Sequence, residues 1–239
     1  MTIAKRKTLL IIGSSGGLGS ELVSFFKDQE YNLALHYYEN PPEASGTNIR
    51  HYTADITNEE AVVKLIDQVV SDFGQIDIVL HNAGVSRNGM SWKLDLDDWN
   101  QTLAVNLTGP FLVSKHCIPH MRENQFGRIL FMSSVVARTG FIGTSAYAAS
   151  KAGLIGLTKT LSKELANKSI TVNALALGYF NAGMINDVPD EMQAELKKVI
   201  PTGRLGDPQE LAAFIGYLIS EKSAYLTGQT INVNGGLYS

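Results

Sequence analysis

Lys7-Thr8-Leu9-Leu10-Ile11-Ile12-Gly13-Ser14-Ser15-Gly16-Gly17-Leu18-Gly19 begins as an apolar run with the length of a buried strand and continues as a glycine-rich turn. The amphipathic segment from Glu21 to Gln29 follows at once and reads as a helix. A strand, a glycine turn and a helix in that order form a phosphate cradle. Unpaired backbone N–H groups and the positive end of the helix dipole converge at the turn, where side chains would block a ligand's approach. Gly13, Ser14, Ser15, Gly17, Leu18 and Gly19 are therefore the candidate residues around a pyrophosphate.

Working outward, strand-like runs alternate with helical patterns along the rest of the chain. Strands are predicted at 8–12, 33–37, 49–54, 76–81, 128–133, 171–175 and 230–233, and helices at 17–29, 58–73, 96–121, 146–167 and 208–220. Alternation of this kind argues an α/β fold: a doubly wound, Rossmann-type, seven-stranded parallel sheet with helices on both faces. Asp55-Ile56-Thr57-Asn58-Glu59-Glu60 reads as a capped helix entry, with Thr57 or Asn58 as N-cap and Glu60 reaching back. No linker, repeat or low-complexity stretch interrupts the 239 residues, so one domain spanning 1–239 is expected.

Ser145-Ala146-Tyr147-Ala148-Ala149-Ser150-Lys151 places a phenol and an ammonium one helical turn apart on the same face. A free Tyr holds its proton too tightly for efficient transfer at neutral pH, and a neighbouring cation is expected to lower its pKa toward the working range. Ser134, at the end of the apolar run 128–133, would present a hydroxyl to a substrate carbonyl at the mouth of the sheet.

Composition narrows the function classes. The net charge is −3, and the 20 basic residues are scattered apart from Lys5-Arg6-Lys7, which is no nucleic-acid footprint. A single cysteine, Cys117, excludes an internal disulfide and fits a reducing compartment. Without an 18-residue apolar stretch or a signal-peptide pattern, a cytoplasmic location is expected. His116 and His120 have a metal-compatible spacing but no third ligand, so no metal site is expected.

The spacing Gly13-x-x-x-Gly17-x-Gly19, the turn His81-Asn82-Ala83-Gly84, and Asn106, Ser134, Tyr147 and Lys151 in that order resemble the short-chain dehydrogenases/reductases from about Lys7 to Gly236. Within that family the chain is most similar to 3-oxoacyl-acyl-carrier-protein reductases, as in Gly127-Arg128-Ile129, Ile170-Thr171-Val172-Asn173, Arg204-Leu205-Gly206-Asp207-Pro208 and Val233-Asn234-Gly235-Gly236. The resemblance implies hydride transfer from a nicotinamide with Tyr147 as proton donor and Ser134 steadying the carbonyl oxygen. Lys151 would hold the nicotinamide ribose, and Asn106 would hold a water leading to solvent. Asn106 also reads as a buried amide bonded to backbone in a helix kinked by Pro110. The same resemblance places Asn82, Ala83, Gly84, Gly178 and Phe180 against the cofactor, and Asp55 and Ile56 at its adenine, although Asp55 reads equally as a helix cap. Tyr37 falls where an acidic residue would select NADH, which favours NADPH/NADP+. A homotetramer is also implied, with the helices 96–121 and 146–167 as one interface and the C-terminal strand and Gly235-Gly236 tail at another.

Three departures stand out: Ile12 for the usual Thr, Leu177 for Pro, and Ala182 where relatives carry a cofactor-binding Thr. The segment 181–201, with Met184, Ile185, Val188, Met192, Leu196 and Val199, is expected as an amphipathic lid over an acyl chain. An acidic acyl carrier protein would need cations at the mouth, with Arg122 and Lys168 as candidates. The expected substrate is a 3-oxoacyl thioester on acyl carrier protein or CoA. The alternatives are another carbonyl reductase or alcohol dehydrogenase, or a cofactor-binding regulatory subunit without catalysis.

Overall fold

The structure, a computed structural model, describes residues 6–239; Lys5 and the side chains of Met184 and Asp187 lie outside the described set. Seven parallel strands are ordered β3-β2-β1-β4-β5-β6-β7. They are β1 (Lys7–Ile12), β2 (Tyr31–Tyr37), β3 (Ile49–Thr53), β4 (Ile78–His81), β5 (Gly127–Ser134), β6 (Ile170–Leu177) and β7 (Thr230–Val233). The order reverses between β1 and β4, so the crevice beyond their carboxyl ends is the ligand site that a doubly wound sheet provides.

Both faces of the sheet are covered because successive side chains alternate sides. Leu10, Ile12, Val79, Ile129 and Phe131 face one layer, formed by α2 (Glu59–Phe73), α4 (Gly109–Glu123) and α6 (Ser145–Leu165). Leu9, Ile11, Leu33, Leu80, Leu130 and Met132 face the other, formed by α1 (Gly17–Phe26) and α8 (Pro208–Ile219). Ile12, the residue standing for Thr, is fully buried in the first layer.

The helix expected over 96–121 is broken. It forms α3 (Leu96–Leu103), a π-helical turn (Ala104–Thr108) and α4. Pro110 lacks the N–H that the Asn106 carbonyl would receive in an α-helix, so the hydrogen-bond ladder is interrupted there. The cap of α2 also differs in part from expectation. Asn58 accepts from Ala61 N at 3.0 Å. Its own N–H goes to the Asp55 carbonyl at 3.1 Å rather than to Glu60.

The segment 181–201 folds as a 3-10 turn (Gly183–Asp187) and α7 (Asp190–Val199), preceded in the chain by the one-turn α5 (Val136–Thr139) and by α6. Ile185, Ile200 and Leu205 bury together beneath it, with Val188 and Leu196 against them. Among the described residues no helix is long and apolar enough to cross a membrane.

Candidate active site

A cavity of about 1560 Å³ opens at the carboxyl ends of the strands. Its walls include Gly13, Ser15, Gly17, Leu18, Asp55, Ile56, Asn82, Ala83, Gly84, Ser134, Tyr147, Lys151, Gly178 and Phe180, which brings most of the sequence candidates to one place. The glycine turn is shaped for close backbone approach. Gly13 has φ +81°, and a Cβ there would meet Ala83 Cα at 2.6 Å. The N–H groups of Gly17 and Leu18, at the start of α1, find no acceptor among the described residues, so their dipoles face the cavity unpaired. These features fit a dinucleotide pyrophosphate.

Four candidates do not line the cavity, each for a visible reason. Ser14 is buried, its hydroxyl donating to the His36 carbonyl at 2.8 Å. Gly19 sits where a Cβ would lie 2.1 Å from the Gly13 carbonyl oxygen, so it lets helix and strand pack. Tyr37 falls on the opposite parity of β2 from His36, which does line the wall along with Tyr38 just past the strand. Asn106 lies behind the wall: its Oδ1 accepts from Val85 N at 2.8 Å and its Nδ2 donates to Val85 O at 2.8 Å and to Ser150 Oγ at 3.1 Å. The side-chain amide is therefore spent on protein groups, as the buried-amide reading has it. Asp55 lines the wall and does not cap α2, whose N-cap is Asn58; its Oδ1 closes a turn before the helix, accepting from Thr57 N and Oγ1 at 2.9 and 2.7 Å.

The two serines ending β5 differ in use. Ser133 Oγ donates to the Lys151 carbonyl at 2.8 Å, pinning α6 to the sheet. Ser134 Oγ accepts from Val136 N at 3.2 Å and turns its hydroxyl toward the Tyr147 phenol on the cavity wall. Lys151 is buried, and its Nζ donates to the Met132 carbonyl at 2.7 Å, 5.6 Å from the centre of the Tyr147 ring. Burial pushes the ammonium down to about 8. The Tyr147 phenol moves upward, contrary to the sequence expectation: burial raises its pKa, the Ser134 hydroxyl draws it partly back, and the Tyr179 phenol adds a further rise. Desolvation of the phenolate outweighs the help of an ammonium already engaged by a carbonyl.

His81 stacks on Phe131 with centroids 4.8 Å apart, and its Nε2 meets Ser114 Oγ at 3.0 Å. Burial, and then the Lys151 charge, hold its pKa down to about 3, so the ring is neutral. Tyr179, Tyr38 and Gln101 are wall residues that the sequence reading did not assign to the site. Tyr38 and Tyr179 sit on loops, where periodicity carries no signal, and Gln101 faces the cavity from α3. His116 bonds Glu59 at 2.9 Å, and among the described residues no group of three or more candidate ligands could hold a metal ion.

Arg122 and Lys168 are placed away from the mouth. They precede Gly127 and Ile170, where β5 and β6 begin, whereas the cavity lies past Ser134 and Leu177, where those strands end. Strands of this length separate the two ends by roughly 25 Å.

The family model described as Enoyl-(Acyl carrier protein) reductase matches residues 12–238. The chain is 34% identical to the 3-oxoacyl-acyl-carrier-protein reductase FabG of Staphylococcus aureus strain Mu50, over 97% of this chain and 98% of the relative. It is 37% identical to the acetoacetyl-CoA reductase of Shinella zoogloeoides, over 97% and 98%. With FabG of Vibrio cholerae the identity is 33%, over 97% of each chain. Matches of this extent, on a reversing parallel sheet with a glycine turn and a Ser134-Tyr147-Lys151 wall, place the chain in the short-chain dehydrogenase/reductase family of oxidoreductases.

Proposed function

We propose that the chain reduces a 3-oxoacyl thioester to the 3-hydroxyacyl thioester, with NADPH as the reductant. The observation that carries this reading is the pair of hydroxyls, Ser134 and Tyr147, side by side on the cavity wall with Lys151 buried behind them. Two donors aimed at one oxygen suit a carbonyl that becomes an alkoxide. When bound, the nicotinamide supplies the hydride, and the protein supplies position and electrostatics. Ser134 and Tyr147 bind the carbonyl oxygen and orient the ketone. Tyr147 then releases its phenolic proton to that oxygen as negative charge grows there. Burial keeps the phenol protonated beforehand, which is the form an acid needs. Lys151 holds a positive charge beneath the site and would orient the ribose. Gly17 and Leu18 N–H groups would hold the pyrophosphate.

Names of relatives support the thioester: two are named for a carrier-bound 3-oxoacyl substrate and one for acetoacetyl-CoA. Phe141, Met192, Leu196 and Val199 line the outer cavity and suit an acyl chain. With Arg122 and Lys168 at the far end of the sheet, no role in docking an acidic carrier at this chain's own mouth is assigned to them. A homotetramer, with α3, α4 and α6 at one interface and β7 with the Gly235-Gly236 tail at another, is part of the same proposal, and sedimentation velocity tests it. The description of the matching family as an enoyl reductase sets a second reading, reduction of a carbon–carbon double bond. Acetoacetyl and crotonyl thioesters, each assayed with NADPH by loss of nicotinamide absorbance, separate the two. Turnover of acetoacetyl thioester alone is expected; turnover of crotonyl thioester alone would sink the ketone reading.

A further inference from the structure

In a doubly wound sheet the adenosine ribose of a dinucleotide would lie against three stretches: the glycine turn, the end of β2 with the loop after it, and the end of β3. None contains a lysine or arginine. The sequence has no cation from residue 13 to 26, from 28 to 49, or from 51 to 63. Among the described residues, Lys151 is the one Lys or Arg lining the whole cavity, and it lies at the Tyr147 end.

Discrimination at this place needs one of two devices. A carboxylate that grips the ribose 2′-hydroxyl selects the unphosphorylated dinucleotide, and an arginine that grips the 2′-phosphate selects the phosphorylated one. At the end of β2 the structure has neither poised. Glu39 and Glu43 are exposed and are not part of the cavity wall, and Asp55 lies past β3 instead, with Oδ1 accepting from Thr57 N and Oγ1. His36, the ring nearest the end of β2, uses both nitrogens on backbone: Nδ1 with Gly13 N at 3.3 Å and Nε2 with Ala54 O at 2.9 Å. Its burial lowers its pKa despite the Ala54 bond and the Asp55 charge, so it offers no cation. What remains on the wall is the Tyr38 ring, Ser15, and Gly16, where a Cβ would meet nothing within 4 Å.

We propose that this site does not discriminate on the 2′ substituent: NADPH is admitted because nothing repels it strongly, and NADH is bound about as well. The inference rests on the dinucleotide reading of the cavity and deepens it. Gly16, on the wall of the glycine turn at φ −87° and facing open space, has room for a longer side chain, so a cation can be introduced there to test the point.

Equilibrium binding of NADPH and NADH to the purified protein, by fluorescence titration and by thermal shift, tests this at low and high salt. The expected result is a ratio of dissociation constants within about tenfold and an NADPH affinity that salt does not weaken, since no Lys or Arg pairs with the extra phosphate. Gly16→Arg is expected to raise NADPH affinity at least about tenfold over the parent, with NADH little changed and the gain lost at high salt. A parent protein that binds either nucleotide more than about fiftyfold tighter than the other overturns the proposal. So does an NADPH affinity in the parent that falls steeply with salt. Binding of neither nucleotide overturns the dinucleotide reading itself, and this inference with it.

Discussion

Asn106 closes both polar groups of the Val85 peptide, accepting from its N–H and donating to its C=O at 2.8 Å each. The same amide reaches Ser150 on α6, whose hydroxyl donates to the Tyr147 carbonyl at 2.7 Å. The π-helical turn thus ties the loop after β4 to the helix carrying Tyr147 and Lys151. Replacing Asn106 with Leu leaves two buried backbone groups unpaired. Asn106→Leu is therefore expected to lose about 2–4 kcal/mol of stability, read from urea unfolding, together with most of the turnover.

Lys151 sets a pH signature in stability. Its folded pKa, about 8, lies below the ordinary 10.5. Between those values the unfolded chain keeps a proton that the folded chain has released, so stability gains with rising pH across that window and the cost of the buried ammonium is full below pH 8. Lys151→Met is expected to be more stable than the parent at pH 7 by roughly 1–3 kcal/mol, with the gap narrowing toward pH 10. Thermal melts across that range check it. Turnover by the parent is expected to decline as pH rises through 8 and the charge beneath the site is lost.

His81 acts at the acid end. Its folded pKa is about 3 against an ordinary 6.5. Below pH 6.5 the unfolded chain takes up a proton that the folded chain refuses, so this contribution is fully present above 6.5 and is lost as pH falls toward 3. Roughly 3 kcal/mol should disappear between pH 7 and pH 4. In His81→Asn the acid limb of the stability curve should flatten, and an unchanged limb would remove His81 as its source.

Gly17 meets the lid. A Cβ there would lie 2.0 Å from Gly183 Cα, in the 3-10 turn that starts the lid. Gly17→Ala must push that backbone away from the phosphate turn. Dinucleotide affinity is expected to drop about tenfold or more, a cost near 1.4 kcal/mol, with circular dichroism unchanged. Retention of parent affinity would mean that the lid's position over the turn does not matter for binding.

The parallel order and the glycine turn were legible because they rest on local signals: apolar runs of strand length, helical periodicity between them, and glycines right after Ile12. The convergence of Ser134, Tyr147 and Lys151 was legible for a similar reason, since strand ends of a doubly wound sheet share one crevice. What escaped was set by neighbours distant in sequence. Pro110 was visible as a possible kink, but not that the break would widen into a π turn around Asn106. Tyr37 was placed by alignment, yet β2 parity gives the wall to His36 and Tyr38. Arg122 and Lys168 read as generic cations until the strand ends put them across the sheet from the cavity. The direction of the Tyr147 shift depended on how deeply the phenol is buried and on the Met132 carbonyl claiming the Lys151 proton, neither of which spacing reveals.

The most direct measurement is the single-turnover rate of acetoacetyl thioester reduction in Tyr147→Phe beside the parent, with NADPH binding measured on the same preparations. Loss of the phenolic proton donor is expected to slow reduction by about a thousandfold or more, while NADPH affinity stays within about threefold. A Phe variant that binds NADPH normally and keeps more than about a tenth of the parent rate would contradict proton delivery by Tyr147.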